Sequence, residues 1–148
     1  MSRLVEQPNA KDAKAAQSAQ REAAMDDPFS HSVIGAALEV QKVLGTGLLE
    51  SAYAAALAIE LQDRGLRFQR EAAIAGMYKG REIGVAYRAD FIIEDTLLVE
   101  LKAIDGLTDL HRAQVLSYLR LSQLKLGLLL NFHEFPLAKG IQRVVNKL

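Results

Sequence analysis

Residues 88–102 read RADFIIEDTLLVELK, and they limit the fold more than any other stretch of the chain. Two apolar runs of strand length flank Glu94-Asp95-Thr96, a polar triplet that marks a turn. Asp90, Glu100 and Lys102 interrupt those runs where a buried strand would carry valine or leucine. Strand side chains alternate with a period of two, so a turn made of that triplet sets Ile93 opposite Leu97, Phe91 opposite Val99 and Ala89 opposite Leu101. The opposite face then carries Ile92 with Leu98, Asp90 with Glu100, and Arg88 with Lys102. A turn shorter by one residue would set Asp90 against Val99 and Phe91 against Leu98, a slip that buried faces select against. The expected hairpin therefore gathers its polar residues on one face, two carboxylates side by side with Lys102 one step further along.

Like charges directly opposite each other are destabilising, so something cationic belongs between Asp90 and Glu100. Paired carboxylate oxygens suit a hard divalent cation, Mg²⁺ or Mn²⁺, with waters and a phosphate completing its shell. An ammonium beside such an ion stabilises a hydroxide or the charge developing on phosphorus, which makes phosphodiester hydrolysis the natural chemistry. The plain structural alternative is a salt-bridge ladder of Arg88, Asp90, Glu100 and Lys102 on a solvated sheet face, since E-x-K is common on strands.

The rest of the chain supplies a setting for this hairpin. At 148 residues, half of them apolar, it is the size of one domain with one core. Eighteen basic side chains balance eighteen acidic ones, so net charge does not announce nucleic acid. There is no cysteine, which excludes disulfides, a thiolate nucleophile and cysteine-bound zinc. The N-terminus lacks the apolar core of a signal peptide, and the longest apolar runs fall short of the ~20 residues that span a bilayer. A soluble, cytoplasmic protein without a membrane partner is expected.

Residues 1–27 are rich in Ala, Gln and charge, too poor in large apolar groups to offset ordering entropy, and are expected to form a polar, flexible tail. Residues 28–148 are expected to form the folded domain. SVIGAALEVQKVL has helical spacing and stops at Gly45-Thr46-Gly47; a second helix is expected from Leu48 to about Arg64, with Gly65 ending it. FQREAAIAGMYKG and the stretch after it read as strands, broken at Lys79-Gly80 and at the Glu94 turn. Thr108 looks like the N-cap of a helix over LHRAQVLSYLRLS, KLGLLLNF reads as a strand buried on both faces, and KGIQRVVNKL fits either strand or helix. The order α, α, β, β, β, α, β predicts an α/β (α+β) domain, a mixed central β-sheet flanked by helices.

Three stretches carry a resemblance. Asp90 on one strand and Glu100-Leu101-Lys102 on the next resemble the PD-(D/E)XK nuclease superfamily. GLLESAY, residues 47–53, is similar to the signature of the GxxExxY family within it, with Gly47, Glu50 and Tyr53 matching in place. AQVLSYL supplies Gln114 and Tyr118, similar to the Q-x-x-x-Y motif of the RecB-like branch. The likeness extends from about Val33 to Asn146. Gln41 and Thr46 depart from the family's pattern before the signature, and Ala89 stands in the place of the superfamily's proline.

The resemblance implies a restriction-endonuclease-like core and a metal-dependent deoxyribonuclease. It implies that Asp90, Glu100, Glu50 and the carbonyl of Leu101 hold Mg²⁺ or Mn²⁺, and that Lys102 orients or activates water. Gln114, Tyr118, Tyr53 and Arg88 would contact DNA, with His111 at the edge of the cleft. DNA is the implied partner, and a homodimer would engage both strands. Each residue also has an ordinary reading: Glu50 offsets a helix dipole, Tyr53 is core, and Gln114 and Tyr118 pack on the sheet. In the alternative function, the domain binds nucleic acid or protein without cutting.

Overall fold

The computed structural model describes residues 27–147, with Lys11 alone before them. The chain runs α1 (Ser30–Leu44), α2 (Glu50–Asp63), β1 (Phe68–Tyr78), β2 (Arg81–Ile93), β3 (Leu97–Lys102), α3 (Asp109–Ser122), β4 (Leu126–Asn131), a 3₁₀ turn (Leu137–Gly140) and β5 (Ile141–Val145). The strands form one mixed sheet in the order β1-β2-β3-β4-β5. All neighbours are antiparallel except β3 and β4, which are parallel because α3 carries the chain back between them. This is the mixed, helix-flanked sheet expected from the element order, consistent with a restriction-endonuclease-like core.

Alternation of side chains divides the core in two. Phe91, Ile93, Leu97, Val99 and Leu101 join Leu126, Leu128 and Leu130 against Val33, Val40, Tyr53, Leu57 and Leu61 of α1 and α2. On the other face Leu98, Leu129 and Val144 pack with Ala72 and Ala89 against Val115 and Leu119 of α3. The β4 strand is buried along its whole length, as a central strand covered by helices on both faces must be. At Gly127 α3 approaches so closely that an added Cβ would stand 2.8 Å from Val115 Cγ1 and 3.4 Å from Leu119 Cδ1. Only a glycine admits that approach.

The C-terminal segment, open between strand and helix in the sequence, becomes β5 because β4 offers it an edge: Ile141 and Val145 face one cluster and Val144 the other. In α2 the buried stripe is Tyr53, Leu57 and Leu61, whereas Leu49, expected on it, stands 78% exposed at the N-cap. No helix among the described residues is long and apolar enough to cross a membrane.

The tail expected over residues 1–27 lies outside the described residues except at Lys11 and at its last position. Asp27 belongs to the domain: it is buried, its Oδ1 accepts the Phe29 N–H at 2.7 Å, and its Oδ2 accepts the Thr96 hydroxyl at 2.7 Å. It thereby joins the start of α1 to the β2–β3 turn. That turn has positive φ at Glu94 (52°) and Asp95 (59°), and the Thr96 N–H closes it on the Ile93 carbonyl at 3.1 Å. Arg67 holds Glu94 through its backbone N–H (2.8 Å) and its guanidinium (2.9 Å).

A buried amide ties α1 to the loop after β4. Gln41 Nε2 donates to the carbonyls of Phe132 (3.0 Å) and Glu134 (2.6 Å), and its Oε1 accepts the Leu137 N–H (2.8 Å). Gln41→Leu keeps the volume and orphans three backbone groups, so a loss of about 2–4 kcal/mol is expected. Urea unfolding measures it as a lower midpoint at unchanged slope; a shift below about 0.5 kcal/mol would mean the loop does not depend on this residue.

Candidate active site

The β2–β3 ladder has the expected register, Ile93 with Leu97, Ile92 with Leu98 and Phe91 with Val99, and there it stops. At the next position the side chains take over from the backbone. Glu100 Oε2 accepts the Asp90 N–H at 2.8 Å, and Asp90 Oδ2 accepts the Leu101 N–H at 2.8 Å. Each carboxylate is thus inserted between the strands, satisfying an amide that a ladder carbonyl would otherwise have taken.

The pairs expected beyond that point, Ala89 with Leu101 and Arg88 with Lys102, do not belong to the ladder. Glu71, between the β1 positions opposite Phe91 and Ala89, has positive φ (49°). Past it Ala72 and Ala89 turn to the α3 face, although Phe68 and Phe91 pack on the α1–α2 face. Arg88 pairs with Ala73 of β1 and is exposed, so it is no neighbour of Lys102 through the sheet. The diverging backbone is the physical reason for both corrections.

Lys102 ends β3, half-buried, opposite Asn131 of β4. Its carbonyl accepts the Phe132 N–H at 2.8 Å. Asn131, itself buried, accepts the Ile104 N–H at 3.1 Å and donates to the Ile104 carbonyl at 3.0 Å, fixing the chain just past the lysine. Glu50 enters from the other side as the first residue of α2, within the electrostatic reach of Asp90 and Lys102.

These groups act on one another's proton affinity. Burial pushes Glu100 up to about 8, reinforced by the charges of Asp90 and Glu50 and opposed by the Asp90 N–H and Lys102. Asp90 is raised by burial against the lowering pull of the Leu101 N–H and Lys102. Glu50 is also raised, first by shielding of its carboxyl from water, then by Asp90. Lys102 thus opposes the upward shift of all three carboxyl groups, and at Asp90 Arg70 opposes it as well.

The Glu50 position depends on a loop held by Tyr53. The Tyr53 hydroxyl donates to the Gly45 carbonyl at 2.7 Å and accepts the Leu48 N–H at 3.2 Å, while its ring stacks on Phe132 at 4.7 Å. His133 Nε2 meets the Leu48 carbonyl at 3.1 Å. Tyr53 was expected to contact substrate; it is fully buried and both hydrogen-bonding sides of its hydroxyl are engaged, so it shapes the loop instead. Gly47, with φ of 91°, allows the turn that leads into α2.

On the α3 side Tyr118 lies half-buried within reach of the charges of Glu100 and Asp90, which add to burial in raising its hydroxyl. Gln114, one turn earlier, is exposed. His111 accepts the Thr108 N–H through Nδ1 at 2.9 Å and serves the start of the helix. Sequence reasoning passed over Tyr87, whose ring stacks on Tyr118 with centroids 3.4 Å apart. It also passed over Asn131 and His133, and read Gln41 only as a departure; a strand aromatic and isolated polar residues carry no periodic signal.

Among the described residues no group of three or more His, Asp or Glu side chains stands in position to hold a metal ion. The donor chemistry of Asp90 and Glu100 nevertheless fits a hard divalent cation: both are oxygen ligands, and burial raises the proton affinity of both, which a cation would offset. A profile of the PD-(D/E)XK nuclease superfamily matches residues 27–144. The chain belongs to that superfamily. In this PD-(D/E)XK protein the candidate acidic residue and E-x-K are Asp90 on β2 and Glu100-Leu101-Lys102 on β3. No curated protein and no solved structure matches the chain.

Two measurements follow from the site's energetics. Glu100 binds its proton more tightly in the folded metal-free protein (about 8) than at its ordinary value of 4.5, so the native state holds more protons between those pH values. Stability should therefore fall as pH rises from about 4.5 through about 8, and Glu100→Gln, which still accepts the Asp90 N–H, should flatten that fall in urea melts. Identical slopes for the two proteins would refute the assignment. Tyr53→Phe should cost about 1 kcal/mol and speed amide exchange at Leu48, whose N–H loses its acceptor; unchanged protection there would separate Tyr53 from the loop.

Proposed function

We propose that this protein is a metal-dependent nuclease that hydrolyses DNA phosphodiester bonds, a member of the superfamily's GxxExxY family. The observation that carries the reading is the carboxylate pair set between β2 and β3, raised in proton affinity and flanked by Lys102. The GLLESAY and AQVLSYL stretches support it, since Glu50 of the one and Tyr118 of the other lie within electrostatic reach of Asp90.

Asp90 and Glu100 would hold Mg²⁺ or Mn²⁺ together with the Leu101 carbonyl, and Glu50 would complete the set from α2. Such an ion neutralises charge on the scissile phosphate and lowers the pKa of water. Ionisation of Asp90 and Glu100 is the protein's part in making the ligand set. Lys102 orients the attacking water and stabilises charge as it develops on phosphorus. Tyr118 and Gln114 donate to phosphate oxygens from α3, which positions the backbone of the DNA without reading its bases. With a near-neutral chain, affinity for DNA comes from this cleft more than from a global field.

A second reading is favoured by one observation: both carboxylates are already satisfied by backbone amides, as they would be in a domain that binds nucleic acid or protein without cutting. Incubation of the full chain with single-stranded, linear duplex and supercoiled DNA in Mg²⁺ or Mn²⁺ separates the two. Cleavage is expected, abolished by chelator and reduced at least about 100-fold by Asp90→Asn and by Lys102→Ala. DNA binding that persists in chelator and never yields product would establish the binding reading in its place.

A further inference from the structure

Among the described residues the Tyr87 hydroxyl is buried, acted on by the carboxylate pair and left idle by the mechanism above. Tyr87 stands on β2 opposite Ile74, and it packs on the α3 face with Ala72, Ala89, Leu98 and Val115. Its ring stacks on that of Tyr118, with centroids 3.4 Å apart and planes 15° from parallel. Its hydroxyl oxygen is buried and has no hydrogen-bond partner among the described residues. A buried phenol without an acceptor is destabilising, and the stacked ring keeps the hydroxyl from swinging out to water.

After burial, the groups that act on this hydroxyl are Glu100, then Tyr118, then Asp90. Each carboxylate has one oxygen committed to a backbone amide, Oε2 of Glu100 to Asp90 and Oδ2 of Asp90 to Leu101. Turning either carboxylate toward a cation means re-aiming its oxygens, and Glu100, with one more methylene, has the longer swing. A carboxylate that ligates through one oxygen is ordinarily fixed by a donor on the other. Tyr87 is a ring-stacked donor within electrostatic reach of Glu100 that has no acceptor among the described residues in this arrangement.

We propose that Tyr87 is a positioning residue of this site: its hydroxyl donates to the Glu100 carboxylate when that carboxylate turns to hold a divalent cation. The inference rests on the metal-dependent reading above and adds a residue to it. Tyr118 then has two tasks, presenting its own hydroxyl to phosphate and pinning the Tyr87 ring.

Tyr87→Phe keeps the stack and removes only the hydroxyl. The test titrates Mn²⁺ into the full-length wild type and variant by calorimetry, melts both in chelator, and measures DNA cleavage. The variant is expected to melt in chelator at the wild-type temperature or above, because an unsatisfied buried hydroxyl has gone. It should bind Mn²⁺ about 10-fold or more weakly, and should lose kcat with KM little changed. Unchanged Mn²⁺ affinity overturns the proposal, as does a rise in KM alone, which would give the hydroxyl to DNA. A melt in chelator lowered by several degrees would overturn it too, since Tyr87 would then be structural. If the wild type itself binds no Mn²⁺, the metal-dependent reading falls first, a result distinct from a wild type that binds and a variant that binds equally.

Discussion

Everything at the site depends on an exchange between two strands: Glu100 takes the amide of Asp90, and Asp90 takes the amide of Leu101. A ladder would have filled this position with carbonyls, leaving the side chains to repel each other across the face. Inserting the carboxylates between the backbones keeps the amides satisfied and lets β2 leave β3, carrying its other half toward β1. The candidate site lies where that ladder ends. The site and the departure from regular pairing are therefore one feature, in which acceptors of the wrong kind for a sheet are held in a sheet's own hydrogen-bonding plane.

Around this exchange lies a frame of single polar residues at helix and strand ends. Gln41 ties α1 to the loop after β4, Asn131 ties the end of β4 to the chain past Lys102, and Tyr53 ties the α1–α2 loop that delivers Glu50. Each is buried with its polar atoms paired. Their common effect is that β2 with Asp90, β3 with Glu100 and Lys102, and α2 with Glu50 are held within electrostatic reach of one another.

Much of the fold was legible because period-two and helical patterns are local. The register from Phe91–Val99 to Ile93–Leu97 followed from which face tolerated charge, and β4 from an unbroken apolar run. What failed, failed for identifiable reasons. Register arithmetic extends a ladder indefinitely, and so it paired Arg88 with Lys102 across a point where the backbone had already turned at Glu71. Composition assigned Asp27 to a solvated tail, although two short hydrogen bonds hold it in the domain. Gln41 acts on residues 91 and 93 positions away, a distance no local pattern spans. At the candidate site, Asp90, Glu100 and Lys102 stand out in the sequence as charges in apolar runs and Glu50 through the GLLESAY resemblance, whereas Tyr87 does not stand out, because an aromatic on a strand looks like any other core residue.

The close approach at Gly127 sets a dimension that no charged residue controls. Val115 and Leu119 of α3 rest where a side chain on that glycine would be, and Tyr118 belongs to the same turn of helix. The height of α3 above the sheet is thus fixed by the absence of a methyl group on β4. A phenol has a fixed length, so that height decides whether the Tyr118 ring lies level with the carboxylates or rides above them. The spacing of α3 from the sheet is kept by the residue with the least to contribute to the site's chemistry.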